Sequence, residues 1–128
     1  MAHDGQDIGM TAPVILPELL NLTGAAIAPV EQVFETARAC LRDTVSIDGR
    51  ISGTLVEQQQ TATHGLAWLA TYLESLRQMQ KWADALDAQG KFGETEQLIH
   101  QITFGEYLWQ IYGGIQMNQS EILRLQDL

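Results

Sequence analysis

At 128 residues, with 45% of them apolar, the chain has the length of one domain and enough apolar content for one core, which excludes intrinsic disorder and a disulfide-stapled miniature. Sixteen acidic against seven basic side chains give a formal charge of −9, a field that repels nucleic-acid phosphates and anionic lipid heads and so excludes both as expected partners. The lone Cys40 cannot form an internal disulfide, no run approaches 18 uninterrupted apolar residues, and the N-terminus lacks the basic region and apolar stretch of a secretion signal, so the expected location is the cytoplasm.

Residues 1–12 are polar, contain glycine and have no period; a disordered tail is expected there, ahead of a helical domain over 13–128. The segment 13–28 holds Pro13 and Pro17, and its apolar residues, Leu16, Leu19 and Leu20 above all, read as an accessory arm that packs on a neighbour. Pro29 lacks the N–H that would be orphaned at a helix start, which predicts a first helix over about 29–47. Val30, Val33, Phe34, Ala37, Cys40, Leu41, Thr44 and Val45 follow at spacings of three and four and define its inner face, with Cys40 a small buried hydrophobe. Asp48-Gly49 reads as its stop.

Ser52 or Thr54 can cap a second helix over 54–89, a rod of about 54 Å at 1.5 Å per residue. Leu55, Ala62, Leu66, Leu69, Leu73, Leu76, Met79, Ala83 and Leu86 run along its buried side, and Gly90 is available for the left-handed position beyond its end. A third helix over 94–112 has Glu94 and Glu96 opposing the positive end of its dipole. It carries two apolar stripes, Leu98, Ile102, Gly105, Trp109 and Tyr112 on one side, and Ile99, Phe104, Leu108, Ile111 and Ile115 on the other. A helix apolar over so much of its circumference requires two neighbours, and Phe104, Leu108, Ile111 and Ile115 are the expected interface. Gly113-Gly114 stops it; Ser120 to Leu125 reads as another element cut short at Leu128, as in a piece of a longer protein, and no β-hairpin is expected. The expected fold is all-α, an up-and-down bundle of three to four helices.

Little in the chain is arranged for chemistry. His3, His64 and His100 are far apart and no two share a helix at four-residue spacing, so no metal site is expected. Cys40 has no partner imidazole. Glu94 with Glu96 and Asp84 with Asp87 lie outside apolar runs that would raise a carboxyl pKa, while Glu106 is expected to face Arg77 or Lys81. Gly113-Gly114 follows a helix and lacks the Lys-Ser/Thr of a phosphate loop. Trp68, Trp82 and Trp109 with Tyr72, Tyr107 and Tyr112 read as core or interface filling.

The stretch Gln110-Ile111-Tyr112-Gly113-Gly114-Ile115-Gln116, closing an amphipathic helix ahead of Glu121-Ile122-Leu123-Arg124, resembles the Gln-x-x-Gly-Gly-x-Gly segment of the acyl-CoA dehydrogenase family. The runs from His64 to Met79, Lys91 to Ile99 and Phe104 to Leu108 look more specifically like the extra N-terminal helical region of its bacterial members that act on methylsuccinyl-CoA; the similarity covers roughly residues 25 to 128. The resemblance implies an FAD-dependent oxidoreductase of the ethylmalonyl-CoA pathway, an electron-transfer flavoprotein as redox partner and a homo-oligomer. In this chain it implies Gln110, Gly113, Gly114 and Arg124 as candidate flavin-contacting residues. Aligned instead with the family's Gln-Ile-Tyr-Glu-Gly, Gly113 falls in the register of the catalytic glutamate, and a glycine cannot abstract an α-proton. The implied unit is a non-catalytic helical packing domain that itself holds no cofactor. A free-standing homodimerisation or adaptor module, and a helical domain that binds a nucleotide or flavin phosphate, are the alternatives.

Overall fold

The computed structural model describes residues 13–128; the tail expected over 1–12 lies outside them. Three long helices form an all-α, up-and-down bundle: α1 (Leu19–Thr44), α3 (Gln60–Ala88) and α4 (Glu94–Gly113), with a short α2 (Gly53–Gln58) leading into α3. Two small antiparallel pairs, β1 (Ser46–Ile47) with β2 (Arg50–Ile51) and β3 (Ile115–Gln116) with β4 (Ile122–Leu123), occupy the connection after α1 and the end of the chain, which closes in a 3-10 turn over Leu125–Asp127. The central rod is α3, packed against α1 on one side and α4 on the other. Its Leu69, Leu73 and Leu76 are fully enclosed and meet Val30, Phe104, Ile111, Ile115, Met117 and Leu123 in one core.

The first helix begins ten residues before the expected start at Pro29, which lies inside it. Proline in a helix interior removes a hydrogen bond and costs about 3 kcal/mol, but the apolar spacing does not stop there. Leu19, Thr23, Val30, Ala37 and Leu41 all lie on the buried side, and Ile27 and Phe34 pack against the core between them, so tertiary burial carries the helix through the proline. Leu19 and Leu20 thus belong to α1, and Leu19 is buried within the chain. Cys40 and Thr44, expected inside, are exposed: Cys40 is about a quarter turn from the Ala37–Leu41 line, and Thr44 is the last residue of α1.

Asp48-Gly49 is more than a helix stop. Both residues have positive φ, 49° and 75°, as a type I′ turn requires, so the chain folds back and pairs Ser46 with Ile51 and Ile47 with Arg50. The absence of hairpins expected from the sequence is corrected at both places. The rod expected over 54–89 is broken at Gln59 (φ −107°, ψ 32°), where α2 ends and α3 starts. Ser52 caps α2, its Oγ accepting from the Leu55 N–H. Gly90 takes the left-handed position beyond α3; its N–H reaches the Asp87 carbonyl and that of Lys91 the Leu86 carbonyl, the paired bonds of a Schellman end.

The last segment, expected as the stub of an unfinished element, is a plug. Ile115, Met117 and Leu123 are buried in the core, and Leu125 and Leu128 pack against it. Leu123 lies over Gly65 of α3, where an added Cβ would overlap the leucine side chain. Gly65 therefore makes room for the plug.

Candidate functional site

The two stripes of α4 have different fates. Phe104, Ile111 and Ile115, expected at an interface, are enclosed in the chain's own core, and Leu108 packs against it. The reason is that α3 and the β3–β4 plug cover that side of the helix. Ile99, grouped with them by spacing, is about half exposed. The opposite stripe is bare beyond its partly buried first member, Leu98: Ile102 is 62%, Trp109 71% and Tyr112 83% exposed. The two aromatic rings stand 6.3 Å apart between centroids. Between Ile102 and Trp109 lies Gly105, where an added Cβ would meet nothing within 4 Å.

A neighbouring segment extends this face. The Gln101 side-chain amide grips the backbone before α1 at two points: the Leu16 N–H donates to its Oε1 and its Nε2 donates to the Val14 carbonyl, both at 2.8 Å. Val14 and Leu16 are held beside α4 with their own side chains exposed. The expected arm is thus clamped to its own chain, while Leu16 still presents apolar surface outward.

The residues expected at a flavin are only partly brought together. Gly113 ends α4, and Gly114 (φ 137°) sits under Ile122 and near Arg124. Gln110 turns away: its Oε1 accepts from the Tyr72 hydroxyl at 2.6 Å. Burial, reinforced by Tyr107, pushes the Tyr72 phenol up, which keeps it a donor, and its ring stacks on Tyr107 at 4.5 Å. The Gly114 N–H is committed to the Gln110 carbonyl at 2.7 Å. This is also the carbonyl end of the helix, whose partial negative charge suits Arg124 and opposes a phosphate. The four residues do not fit a flavin pyrophosphate.

Other candidates separate as well. Glu106 is exposed, and Arg77, expected opposite it, pairs instead with Glu31 at 2.7 Å. His64 is exposed and accepts from Trp68 Nε1 at 3.0 Å. Cys40 sits on the rim of an apolar groove of about 480 Å³ lined by Pro29, Val33, Ala37, Leu125 and Leu128. Among the described residues no three His, Cys, Asp or Glu side chains converge to hold a metal ion, and no helix is long and apolar enough to cross a membrane.

One polar cluster escaped sequence reasoning. His100 is fully buried between the three long helices, its Nε2 2.9 Å from Thr23 Oγ1, which in turn bonds Gln80 Oε1 at 2.7 Å. Gln80 Nε2 donates to the Leu20 carbonyl and to Asp84. With the threonine proton given to Gln80, the histidine donates from Nε2, and Nδ1 is left as a buried acceptor without a hydrogen-bond partner. Only the Leu19–Thr23 spacing ahead of Pro29 could have revealed it, by showing that the helix starts early.

No family model matches the chain. It is 53% identical over 119 residues, 93% of its length, to the (2S)-methylsuccinyl-CoA dehydrogenase of Cereibacter sphaeroides, and it spans only 22% of that relative. The chain is thus similar to about a fifth of that relative, and it folds as an all-α bundle.

Proposed function

We propose that the chain is a non-catalytic packing and assembly domain of an FAD-dependent acyl-CoA dehydrogenase that acts on methylsuccinyl-CoA in the ethylmalonyl-CoA pathway. The observation that carries this reading is the 53% identity to a fifth of such an enzyme. On this account FAD and the acyl thioester are held outside the chain, in a cytoplasmic homo-oligomer that passes electrons to an electron-transfer flavoprotein. Two features favour packing over catalysis. Aligned on the family's Gln-Ile-Tyr-Glu-Gly, the chain has Gly113 where the glutamate base would stand, and Glu106, beside Phe104 and Tyr107 in sequence, lies open to water. The bare stripe on α4 also favours a second reading, a free-standing homodimerisation or adaptor module.

The test is replacement of the matched stretch of the Cereibacter sphaeroides enzyme by this chain. Retained flavin absorbance and turnover of (2S)-methylsuccinyl-CoA are expected from the graft, and neither from the isolated 128 residues. Flavin binding or desaturation by the isolated chain would overturn the reading, as would a graft that loses its flavin. An isolated chain that sediments as a dimer would favour the adaptor.

A further inference from the structure

Ile102, Gly105, Trp109 and Tyr112 recur at spacings of three, four and three along α4, the seam by which one helix packs on another. That seam is exposed, and its glycine has no internal explanation. Gly105 lies in the middle of a 20-residue helix, its φ is unexceptional, and a Cβ there would enter open space. Glycine at such a site destabilises the helix relative to alanine with no compensation inside the chain. What it provides is bare helix backbone between Ile102 and Trp109, open to a side chain or backbone from outside.

The surroundings select the occupant. Helix α4 contains Glu94, Glu96 and Glu106 and no Lys or Arg. Glu106 is exposed, one turn from both Ile102 and Trp109 along the helix. A second copy would bring acid against acid between molecules that each carry −9, which opposes self-pairing through this face.

Resting on the function proposed above, we infer that the outer face of α4, extended by Val14 and Leu16, seats an α-helix of the flavoprotein part of the dehydrogenase. That helix has an apolar seam flanked by Lys or Arg and lays a large side chain over the bare backbone at Gly105.

The experiment uses the graft and the isolated chain, both carrying Cys40→Ser, with a reporter thiol introduced at Glu106→Cys or, as control, at exposed Ala85→Cys, its labelling read on the peptide that carries it. Maleimide labelling is timed in each. The Glu106 reporter should label at the control's rate in the isolated chain and at least about tenfold more slowly in the graft, while the Ala85 reporter is unchanged. Gly105→Ala adds a test of opposite signs: it should raise the Tm of the isolated chain by a few degrees and restore fast labelling in the graft. A yellow, active graft whose Glu106 reporter labels as fast as in the isolated chain overturns this inference and leaves the proposed function standing. A graft without flavin overturns both. Slow labelling in the isolated chain, relieved by dilution, overturns it in favour of a second copy.

Discussion

Thr23 Oγ1 stands 2.9 Å from Nε2 of His100 in the closed interior, so a hydroxyl of α1 and an imidazole of α4 meet beside Gln80 of α3. All three long helices are tied by one polar chain, to which the ring contributes Nε2. Burial holds the His100 pKa below the usual 6.5, with nearby Asp84 and the Met79 backbone pulling weakly the other way.

The sign of the resulting pH dependence follows. In the unfolded chain the ring takes up its proton near 6.5, in the folded chain only at lower pH, so between those values the unfolded state binds more protons. The contribution of His100 is complete above pH 6.5 and declines as the pH falls from there to the depressed folded value. Urea midpoints measured from pH 7.5 to 5 should therefore fall more steeply for the parent than for His100→Gln, although the variant starts lower. Parallel slopes would show that the ring does not titrate differently on folding.

Gly65 and Leu123 form a lock and its keyhole. Replacement by Ala puts a Cβ into the space of the leucine side chain, and because Leu123 is itself 2% exposed it has nowhere to retreat. Overpacking of this kind costs about 1–3 kcal/mol, more than the roughly 1 kcal/mol that alanine gains over glycine in a helix. Gly65→Ala should destabilise, and Leu123→Ala should do so by opening a cavity. The double variant should lose less than the sum, since each change relieves the other. Strict additivity in chemical denaturation would mean that the plug does not seat on α3 as described.

Arg77 sends both Nε and Nη2 to one oxygen of Glu31, at 2.9 and 2.7 Å. Both side chains are about two-fifths exposed, so water and salt screen the pair. Glu31→Gln should cost less than about 1 kcal/mol, and the loss should shrink further at high salt. A larger, salt-insensitive loss would make this bridge a determinant of how α1 lies on α3.

The three long rods were legible because their apolar residues repeat every three or four positions over many turns, and the Gly90 ending was legible because a left-handed residue after a helix favours glycine. The start of α1 was not, since local chemistry places Pro29 at a first turn while the burial of Leu19 and Thr23, a tertiary effect, decides otherwise. The Asp48-Gly49 hairpin was missed because the same two residues that end a helix also make a type I′ turn, and two-residue strands leave no alternation to read. At the candidate site, the spacing revealed both stripes of α4. Which one the chain would cover depended on β3 and β4, elements too short to leave a periodic signal.

That ambiguity yields the sharpest contrast between two isoleucines of α4. Ile111 is 6% exposed and belongs to the core, whereas Ile102, on the far side of the same helix, is 62% exposed. Ile111→Asp buries a charge with no partner and should cost about 3–5 kcal/mol, enough to unfold a domain of ordinary stability. Ile102→Asp leaves every internal contact in place, and the isolated chain should keep its helical circular dichroism and lie within about 0.5 kcal/mol of the parent. Its effect should appear only where α4 is covered, as faster labelling of the Glu106→Cys reporter in the grafted enzyme. An Ile102→Asp chain that melts like Ile111→Asp would mean that the outer stripe is internal after all, and the assignment of the two faces of α4 would have to be reversed.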